Sequence, residues 1–329
     1  MDRLLSHAVL KDGTKVEVRL VMPPEAGWAD KMHCFLKHKG MPWQLHWLEA
    51  FAGRCDVLET RFYLLVIDGE PISSIMTAET AGIGIFGHVF TKVQWREKGA
   101  ASILMRAVSE DFGSRDGIAL YLGTGYDSMP WRLYAKFGFE GVAPPLGLMR
   151  WVRQPERLAG MFSGEQLTVR PIRWGDWPLV QCLSLQPGGD TVKNMGLKRF
   201  GTADMEGPFL ALMERMAKNP GIRVAVVTNG AGMVVGFGTS APLDALLTDY
   251  VLVDVFAHRA AGPAVGLLLS GLELPADKPL LVMIDESSAQ RRQSLATAGF
   301  CVVGNLPGAL KAENCSENLV LMVRTAGDR

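Results

Sequence analysis

The chain has 329 residues, which is too long for one average domain and comfortable for two. Its hydrophobic content of 48% and mean hydropathy of +0.13 supply enough apolar residues for filled cores, so long disordered segments are not expected. Charges balance, with 34 Lys+Arg against 34 Asp+Glu, so composition gives no reason to expect a nucleic-acid or anionic-membrane partner.

The cysteines and histidines form no disulfide framework or metal-binding pattern. The five cysteines are odd in number and contain no Cys-x-x-Cys pair: Cys34, Cys55, Cys182, Cys301 and Cys315. They are interpreted as buried or free thiols in a reducing compartment. The six histidines are scattered along the chain and predict no metal site.

The apolar segments are too short for targeting or for membrane insertion. Residues 1–10 lack the features of a signal peptide. The longest apolar run, residues 264–272, has about half of the roughly 20 residues that a membrane span needs. We therefore expect a soluble, cytoplasmic protein with no membrane partner.

The first half of the chain begins with a strand, two helices and a hairpin. Residues 15–21 alternate as a half-buried strand does, and residues 27–52 suit two helices broken at Gly40-Met41-Pro42. Residues 61–67 and 72–78 are apolar alternating runs joined across Asp68-Gly69, which predicts a β-hairpin. Further strands are predicted at residues 83–91, 118–122, 141–142 and 148–152, and helices at residues 99–112 and 129–136, the second ending at Gly138-Phe139.

The second half repeats this order. A strand at residues 167–172 leads into helical stretches up to residue 218. The remaining predicted elements are a hairpin of residues 223–228 and 233–239, strands at 250–256 and 280–284, and helices at 263–274 and 289–298, the last ending at Gly299-Phe300.

Two landmarks recur at nearly the same shift. Arg96 and Arg259 are 163 positions apart (259−96), and Gly138 and Gly299 are 161 apart (299−138). Such a shift indicates tandem copies of one fold. We place the boundary within residues 154–166, which gives domains of residues 1–155 and 156–329.

The most informative segment is residues 88–101, His-Val-Phe-Thr-Lys-Val-Gln-Trp-Arg-Glu-Lys-Gly-Ala-Ala. A predicted strand enters a loop, and small residues then open a helix. A helix start exposes unpaired N–H groups and a positive dipole end, so it is a natural cradle for a diphosphate. Gly99 and Ala101 leave the backbone accessible, while Arg96 and Lys98 add charge. An ordinary capped helix remains the alternative interpretation of these residues alone.

A wider pattern decides between the two. Val-Phe-Thr-x-x-x-x-Arg-x-x-Gly-x-Ala resembles the acyl-CoA-binding motif of the GNAT acyltransferase superfamily, and Leu-Tyr-x-x-x-Gly-Phe at residues 133–139 resembles its second signature. This chain departs from the family at Val93, where proline is usual, and at Asp127, where asparagine is frequent. The resemblance implies an α/β protein of two tandem GNAT-like domains, each a mixed, mostly antiparallel central sheet flanked by helices.

The resemblance also implies acetyl-CoA as the cofactor and direct attack of an amine on its thioester. The residues that it assigns to the cofactor are Val89, Phe90, Thr91, Arg96, Glu97, Lys98, Gly99, Ala100, Ala101, Ser102 and Asp127. Tyr134 is the implied acid for the departing thiolate, with a core tyrosine as the alternative interpretation. The base is open between His88, Glu79 and a water relay.

The second copy is predicted to be degenerate. Arg-x-x-Gly-x-Ala survives at residues 259–264, but Pro263 has no N–H to offer a diphosphate. Leu295 stands where Tyr134 stands in the first copy, so the thiol-protonating acid is absent.

The acceptor is not readable from the sequence. Residues 28–51 contain an aromatic set, Trp28, Phe35, Trp43, Trp47 and Phe51, together with His33, His38 and His46. These side chains suit either an amine-binding pocket or a helix pair packed on the sheet. We expect an N-acetyltransferase acting on a small-molecule or peptide amine, with homodimerisation as one assembly. The alternative is a non-catalytic acyl-CoA sensor or scaffold.

Overall fold

Two central sheets organise the chain. The computed structural model describes residues 1–243, 249–312 and 315–327, without the side chains of residues 312 and 315. It divides the chain into two units. Unit 1 comprises Met1–Leu158, Arg173–Leu179 and Phe209–Ala211, and unit 2 comprises Ala159–Ile172, Val180–Pro208 and Leu212–Arg329.

Unit 1 is built on an eight-stranded sheet of order β1-β2-β3-β4-β5-β6-β8-β7. Its strands are β1 (Asp2–Val9), β2 (Lys15–Val21), β3 (Glu59–Ile67), β4 (Glu70–Thr80), β5 (Ile83–Thr91), β6 (Ala119–Gly123), β7 (Glu140–Gly141) and β8 (Leu148–Val152). Its helices are α1 (Ala26–Leu36), α2 (Trp43–Phe51), α3 (Ala100–Ser114) and α4 (Met129–Ala135); α5 (Pro155–Gly160) follows in the chain.

Helices cover both faces of this sheet. Helix α3 buries Leu104, Val108 and Phe112, which are spaced four apart and therefore lie on one helix face, in a core that includes Tyr63 of β3. The preceding residue, Phe62, stacks on Phe51 of α2 at a ring-centroid distance of 5.7 Å. Because successive strand residues face opposite sides, α3 and α2 lie on opposite faces. Each fully buried large side chain contributes about 1.5–3 kcal/mol.

Strand β1 is not predicted from the sequence. It pairs with β2 at the edge of the sheet, and its side chains are mostly exposed. An edge strand without a buried face has no hydrophobic alternation to reveal it. The predicted breaks and hairpins of this half are present, with the α1–α2 break at Lys37–Pro42 and the β3–β4 turn at Asp68-Gly69.

Unit 2 repeats the layout on a seven-stranded sheet of order β16-β17-β15-β14-β13-β12-β9. Its strands are β9 (Thr168–Pro171), β12 (Arg223–Thr228), β13 (Val234–Pro242), β14 (Val251–Ala257), β15 (Leu280–Asp285), β16 (Cys301–Ala312) and β17 (Cys315–Arg324), and a separate two-stranded sheet contains β10 (Val192–Asn194) and β11 (Arg199–Phe200). The helices along this part of the chain are α6 (Trp177–Ser184), α7 (Glu206–Lys218), α8 (Ala264–Gly271) and α9 (Ala289–Thr297).

Both sheets have one parallel pair at the same place, β5–β6 in unit 1 and β14–β15 in unit 2, and antiparallel pairs elsewhere. The predicted architecture of two mixed, mostly antiparallel sheets flanked by helices is confirmed. The prediction that residues up to 218 are helical is wrong for β10 and β11. Side-chain contacts distant in sequence hold these strands: Asp285 accepts a hydrogen bond from the Val192 N–H at 2.9 Å, and Asp254 accepts one from the Met195 N–H at 2.8 Å.

Among the described residues, every helix is too short or too polar to reach across a lipid bilayer. Of the cysteines, Cys34 and Cys301 are exposed and Cys55 and Cys182 are buried, with no disulfide between any two of these four. The side chain of Cys315 lies outside the described residues.

Candidate functional site

The start of helix α3 is an open cluster of backbone donors. The capping residue Gly99 has a left-handed φ of +86° and no side chain to cap the helix. Within the described part of the chain, the backbone N–H groups from Glu97 to Ser102 have no protein hydrogen-bond acceptor. Such orphan donors at the positive end of a helix favour an anion.

The β1–β2 turn supports this start from one side. The Lys11 N–H donates to the Lys98 carbonyl oxygen at 3.0 Å, and the Lys11 side chain lies beside Gly99. Asp12 pairs with the Lys98 Nζ at 2.9 Å, and hydrogen bonding from Lys98 lowers the pKa of Asp12 to about 2. Lys98 is therefore already paired, whereas Arg96 is exposed and bonded only to the Thr91 carbonyl oxygen, at 3.1 Å, among the described residues.

Strands β5 and β6 diverge in front of this helix start. Their parallel register runs only from Ile83–Ala119 to Ile85–Tyr121, although β5 continues to Thr91 and β6 to Gly123. The carboxyl ends of parallel strands are where open α/β sheets bind ligands. The candidate backbone of residues 89–91 therefore borders a wedge between the two strands.

A β-bulge shapes β5 at this point. Ser74 pairs with Phe90 and Met76 with Gly87, so β5 carries one extra residue, and His88 has a positive φ of +47°. Bulges re-aim side chains and cluster near functional sites. Here the bulge points the His88 ring toward α2, whereas Phe86 on the same strand belongs to the α3 core.

Tyr134 lies on the α3 side of the sheet. Its side chain is buried at 6% exposure and packs on Phe86 of β5 with a ring-centroid distance of 5.3 Å. Ser128 caps α4 by accepting the Trp131 N–H. Asp127 is exposed and forms two hydrogen bonds to Arg132, both at 2.9 Å, so its carboxylate is committed to a neighbour.

His88 is enclosed on the α2 side. Its Nε2 lies 3.5 Å from Nδ1 of His46, and Nε2 of His46 lies 2.9 Å from Thr60 Oγ1. Trp43 and Trp47 pack edge-on against the His88 ring. Burial drives the pKa of His88 well below its ordinary value and lowers that of His46 to about 3, so both rings are neutral at physiological pH.

Glu79 is distant from this arrangement. It pairs with Gly84 of β5, four positions before His88, which corresponds to roughly 13 Å along a strand. Its carboxylate is held by Arg115 at 2.7 and 3.0 Å and accepts the Thr77 hydroxyl at 2.5 Å. The structure thus groups His88 with residues 89–91 at the bulge and separates Glu79 from them.

The aromatic residues of α1 and α2 mostly pack against neighbours. The Trp28 indole N–H donates to Asp2 at 2.9 Å, and Phe35 and His38 contact Phe90 at centroid distances of 5.1 and 4.0 Å. His46 and Trp47 are fully buried. This arrangement matches the helix pair packed on the sheet. The His46–Thr60 contact has no signal in the sequence, because no spacing links these two residues.

The matching turn in unit 2 is closed. The Ala260 and Ala261 N–H groups already donate to Nδ1 and the carbonyl oxygen of His258. The Gln290 side chain occupies the space beside Gly262 where even a Cβ would collide, and Pro263 has no N–H. Leu295 is fully buried, as an apolar core residue should be.

No protein-family model matches the chain. No curated protein matches it by sequence either. Solved structures match about half of it. A GNAT-superfamily phosphinothricin acetyltransferase from Sinorhizobium meliloti in complex with acetyl-CoA is 13% identical over 49% of this chain and 89% of its own, with a TM-score of 0.40.

Two further matches have the same extent. A ribosomal-protein-alanine N-acetyltransferase from Brucella melitensis is 19% identical over 48% of this chain and 99% of its own, with a TM-score of 0.38. An N-acetyltransferase from Staphylococcus aureus is 15% identical over 49% and 99%, with a TM-score of 0.39.

Proposed function

We propose that unit 1 is an acyl-CoA-dependent N-acetyltransferase, with acetyl-CoA as cosubstrate and the amine of a small molecule or peptide as acceptor. One observation carries the proposal: the unpartnered N–H groups of residues 97–102 stand at the start of α3, in front of the wedge between β5 and β6. A helix start with open donors suits a diphosphate, and a wedge between strands suits the extended arm that follows it.

The residues present fit coenzyme A. The diphosphate would lie on the backbone from Glu97 to Ser102, with Arg96 adding charge at the edge. Small side chains at Gly99, Ala100 and Ala101 leave room for its oxygens. The arm would pair with the backbone of residues 89–91, which lies beyond the last β5–β6 pair, Ile85–Tyr121. Asp127 would sit at the periphery, already bound to Arg132.

Bound acetyl-CoA would supply an acetyl group activated as a thioester. Tyr134 Oη, held on the α3 side by packing against Phe86, gives its proton to the departing sulfur. His88, neutral because it is buried, accepts the proton of the attacking amine directly or through water.

Of the two candidate bases, His88 is the better supported. It lies at the bulge beside residues 89–91, whereas Glu79 is bound to Arg115 farther along the sheet. A strongly lowered pKa also makes His88 a weak base. This observation favours the second candidate function, an acyl-CoA sensor that binds and does not turn over.

Turnover separates the two functions. The assay follows free thiol release from acetyl-CoA across a panel of amines. We expect Tyr134→Phe to lower kcat by about 10²–10⁴-fold, the usual contribution of a general acid, and Arg96→Ala to raise the KM for acetyl-CoA. The matched controls are Tyr250→Phe and the exposed α3 variant Arg106→Ala, and we expect both to behave as wild type.

Two results decide against the assignment. Turnover that survives both Tyr134→Phe and Arg96→Ala would show that the active site does not lie in this part of unit 1. Saturable binding of acetyl-CoA without turnover of any amine would show that the protein is an acyl-CoA sensor and not an enzyme.

We also propose that unit 2 no longer binds the coenzyme, because Gln290 and Pro263 close the corresponding turn. A cytoplasmic location is part of the proposal. It is supported by the exposed thiols of Cys34 and Cys301, which a reducing compartment preserves.

A further inference from the structure

Unit 2 contains a cleft where β14 and β15 end. Its volume is about 200 Å³, below the roughly 300–1,000 Å³ of clefts that take drug-sized ligands. Three segments line it, residues 188–190, 257–259 and 287–291, together with Gly262 and Val265. A smaller cavity shares the first two segments and extends the cleft to Lys193.

Lys193 is a buried cation without an anionic contact. Only 4% of the residue is exposed, and its Nζ donates to the Ser184 carbonyl oxygen. No ion pair to Lys193 exists among the described residues. Burial lowers its pKa to about 8, and Asp190 opposes that shift only in part. A buried charge is costly unless a counter-charge offsets it.

Arg291 is a second buried cation, and it lines the larger part of the cleft. Its side chain is 3% exposed, and it donates to Asp285 and to the Val192 carbonyl oxygen, both at 2.6 Å. Its Nε has no hydrogen-bond partner and lies 3.6 Å from the Asp190 carboxylate, which is within ion-pair distance.

The charges that face the cleft favour an anion. Lys193, Arg259 and Arg291 are positive, and Asp190 is the negative lining residue. Asp285 is already saturated by the Val192 N–H, by Ser288 and by Arg291. Arg259 is exposed at the mouth, so an entering anion meets a positive charge first.

We propose that this cleft binds a small anion that carries a carboxylate or phosphate group. Lys193 and Arg291 hold the charged group inside, and Arg259 closes over it from the mouth. A diphosphate is not the ligand, because the Ala260 and Ala261 N–H groups are internally bonded and Gln290 fills the space beside Gly262. The proposal does not depend on acetyl transfer in unit 1.

The test is calorimetric titration of the full chain, without coenzyme A, at constant ionic strength set with NaCl. Succinate and inorganic phosphate are the two probes, and they distinguish a carboxylate ligand from a phosphate ligand. We expect saturable binding of at least one probe, weakened about tenfold or more in Arg259→Gln through the loss of a charge-assisted contact. Arg292→Gln, next to Arg291 on α9 but not lining the cleft, should bind as wild type.

Arg96→Gln tests whether the probe binds at the start of α3 in unit 1 and not in the cleft of unit 2. Binding that is lost in Arg96→Gln and kept in Arg259→Gln overturns the proposal. So does the absence of saturable binding for both probes, and so does an Arg259→Gln protein that binds as wild type.

Lys193→Met adds a readout that a purely structural lysine would not give. Because it removes an uncompensated buried charge, we expect a higher thermal midpoint than wild type in anion-free buffer and no further rise with the bound probe. A lower midpoint in anion-free buffer contradicts the role assigned to Lys193.

Discussion

At the scale of single residues, His46 and His88 form a neutral pair that couples α2 to the bulge of β5. His46 Nε2 contacts Thr60 Oγ1 at 2.9 Å, and its Nδ1 faces His88 Nε2 at 3.5 Å. When the Thr60 hydroxyl oxygen accepts a hydrogen bond from His46 Nε2–H, Nδ1 of His46 is an acceptor, and His88 Nε2–H donates to it. That tautomer leaves Nδ1 of His88 as the acceptor for a proton from outside the pair.

The same burial makes stability depend on pH. The unfolded histidines titrate near 6.5, whereas the pKa of folded His46 is about 3 and that of His88 is also lowered. The unfolded state therefore binds more protons below pH 6.5. Stability is fully present above that pH and falls as the pH decreases toward 3. The slope is up to about 1.4 kcal/mol per pH unit for each histidine.

His46→Gln should reduce the slope of the unfolding free energy against pH by the share of one histidine, up to about 1.4 kcal/mol per pH unit. The measurement is the free energy of unfolding by urea at several values between pH 5 and pH 7, above the range where most carboxylates titrate. His33→Gln, at an exposed position of α1, is the control and should follow the wild-type curve. Parallel curves for wild type and His46→Gln would show that His46 is not held neutral.

At the scale of elements, α3 has a different function at each end. Its start presents open donors, and its last turn is anchored to the sheet by charge. Arg115 bonds to Glu79 at 2.7 and 3.0 Å and to Asp111 at 2.9 Å, and Asp111 accepts the Tyr63 hydroxyl at 2.7 Å. Burial raises the pKa of Asp111, but the hydrogen bonds from Tyr63 and Arg115 outweigh it and keep this carboxylate ionised.

Arg115→Leu should therefore destabilise unit 1, because two carboxylates lose their shared partner. We expect a loss of about 2–4 kcal/mol in the free energy of unfolding. This is less than the roughly 3–5 kcal/mol for a fully buried pair, since 26% of the Arg115 side chain is exposed and solvent screens it. Arg106→Leu, in the middle of α3, serves as the control.

Glu79→Gln tests the same network from the other side. A structural Glu79 predicts lower stability and an unchanged kcat per folded molecule. A lost kcat at unchanged stability would instead make Glu79 the base.

Elements with a buried face could be predicted from the sequence, and elements without one could not. The Asp68-Gly69 hairpin and helix α3 follow from period and turn chemistry, and Gly138 ends its segment with the left-handed φ of +90° that a helix end favours. Strand β1 has no such signal because its side chains are mostly exposed, and β10 has none because a partner distant in the chain, Asp285, holds it. The bulge at His88 is likewise set by pairing with β4 and is not visible in the residues alone.

At the scale of the whole molecule, the two sheets share the strand order around their parallel pairs but differ in chemistry at the ends of those pairs. The motif at residues 96–101 predicts the open turn of unit 1, and Pro263 predicts part of the closure in unit 2. Gln290 and the cleft beyond it were not predictable, because the lining comes from segments about 100 positions apart, such as residues 188–190 and 287–291.

This asymmetry predicts one coenzyme per chain. Calorimetric titration with coenzyme A should give one equivalent, with affinity about tenfold or more lower in Arg96→Ala because a charged contact is lost. Arg259→Ala, the corresponding exposed arginine of unit 2, should leave affinity and stoichiometry unchanged. Two equivalents in wild type would mean that Gln290 moves aside and that the second turn still works.

The tie between the β1–β2 turn and α3 has a consequence for the order of synthesis. Lys11 and Lys98, joined by a backbone hydrogen bond, are 87 positions apart in the chain (98−11). At about 5–20 residues per second, the ribosome adds that length in roughly 4–17 s. During this interval the β1–β2 hairpin is complete. The apolar side of β2 stays uncovered until β3 is made, and the turn has no partner until Lys98 is made. The β1–β2 turn is therefore made well before the helix start with which it forms the cradle.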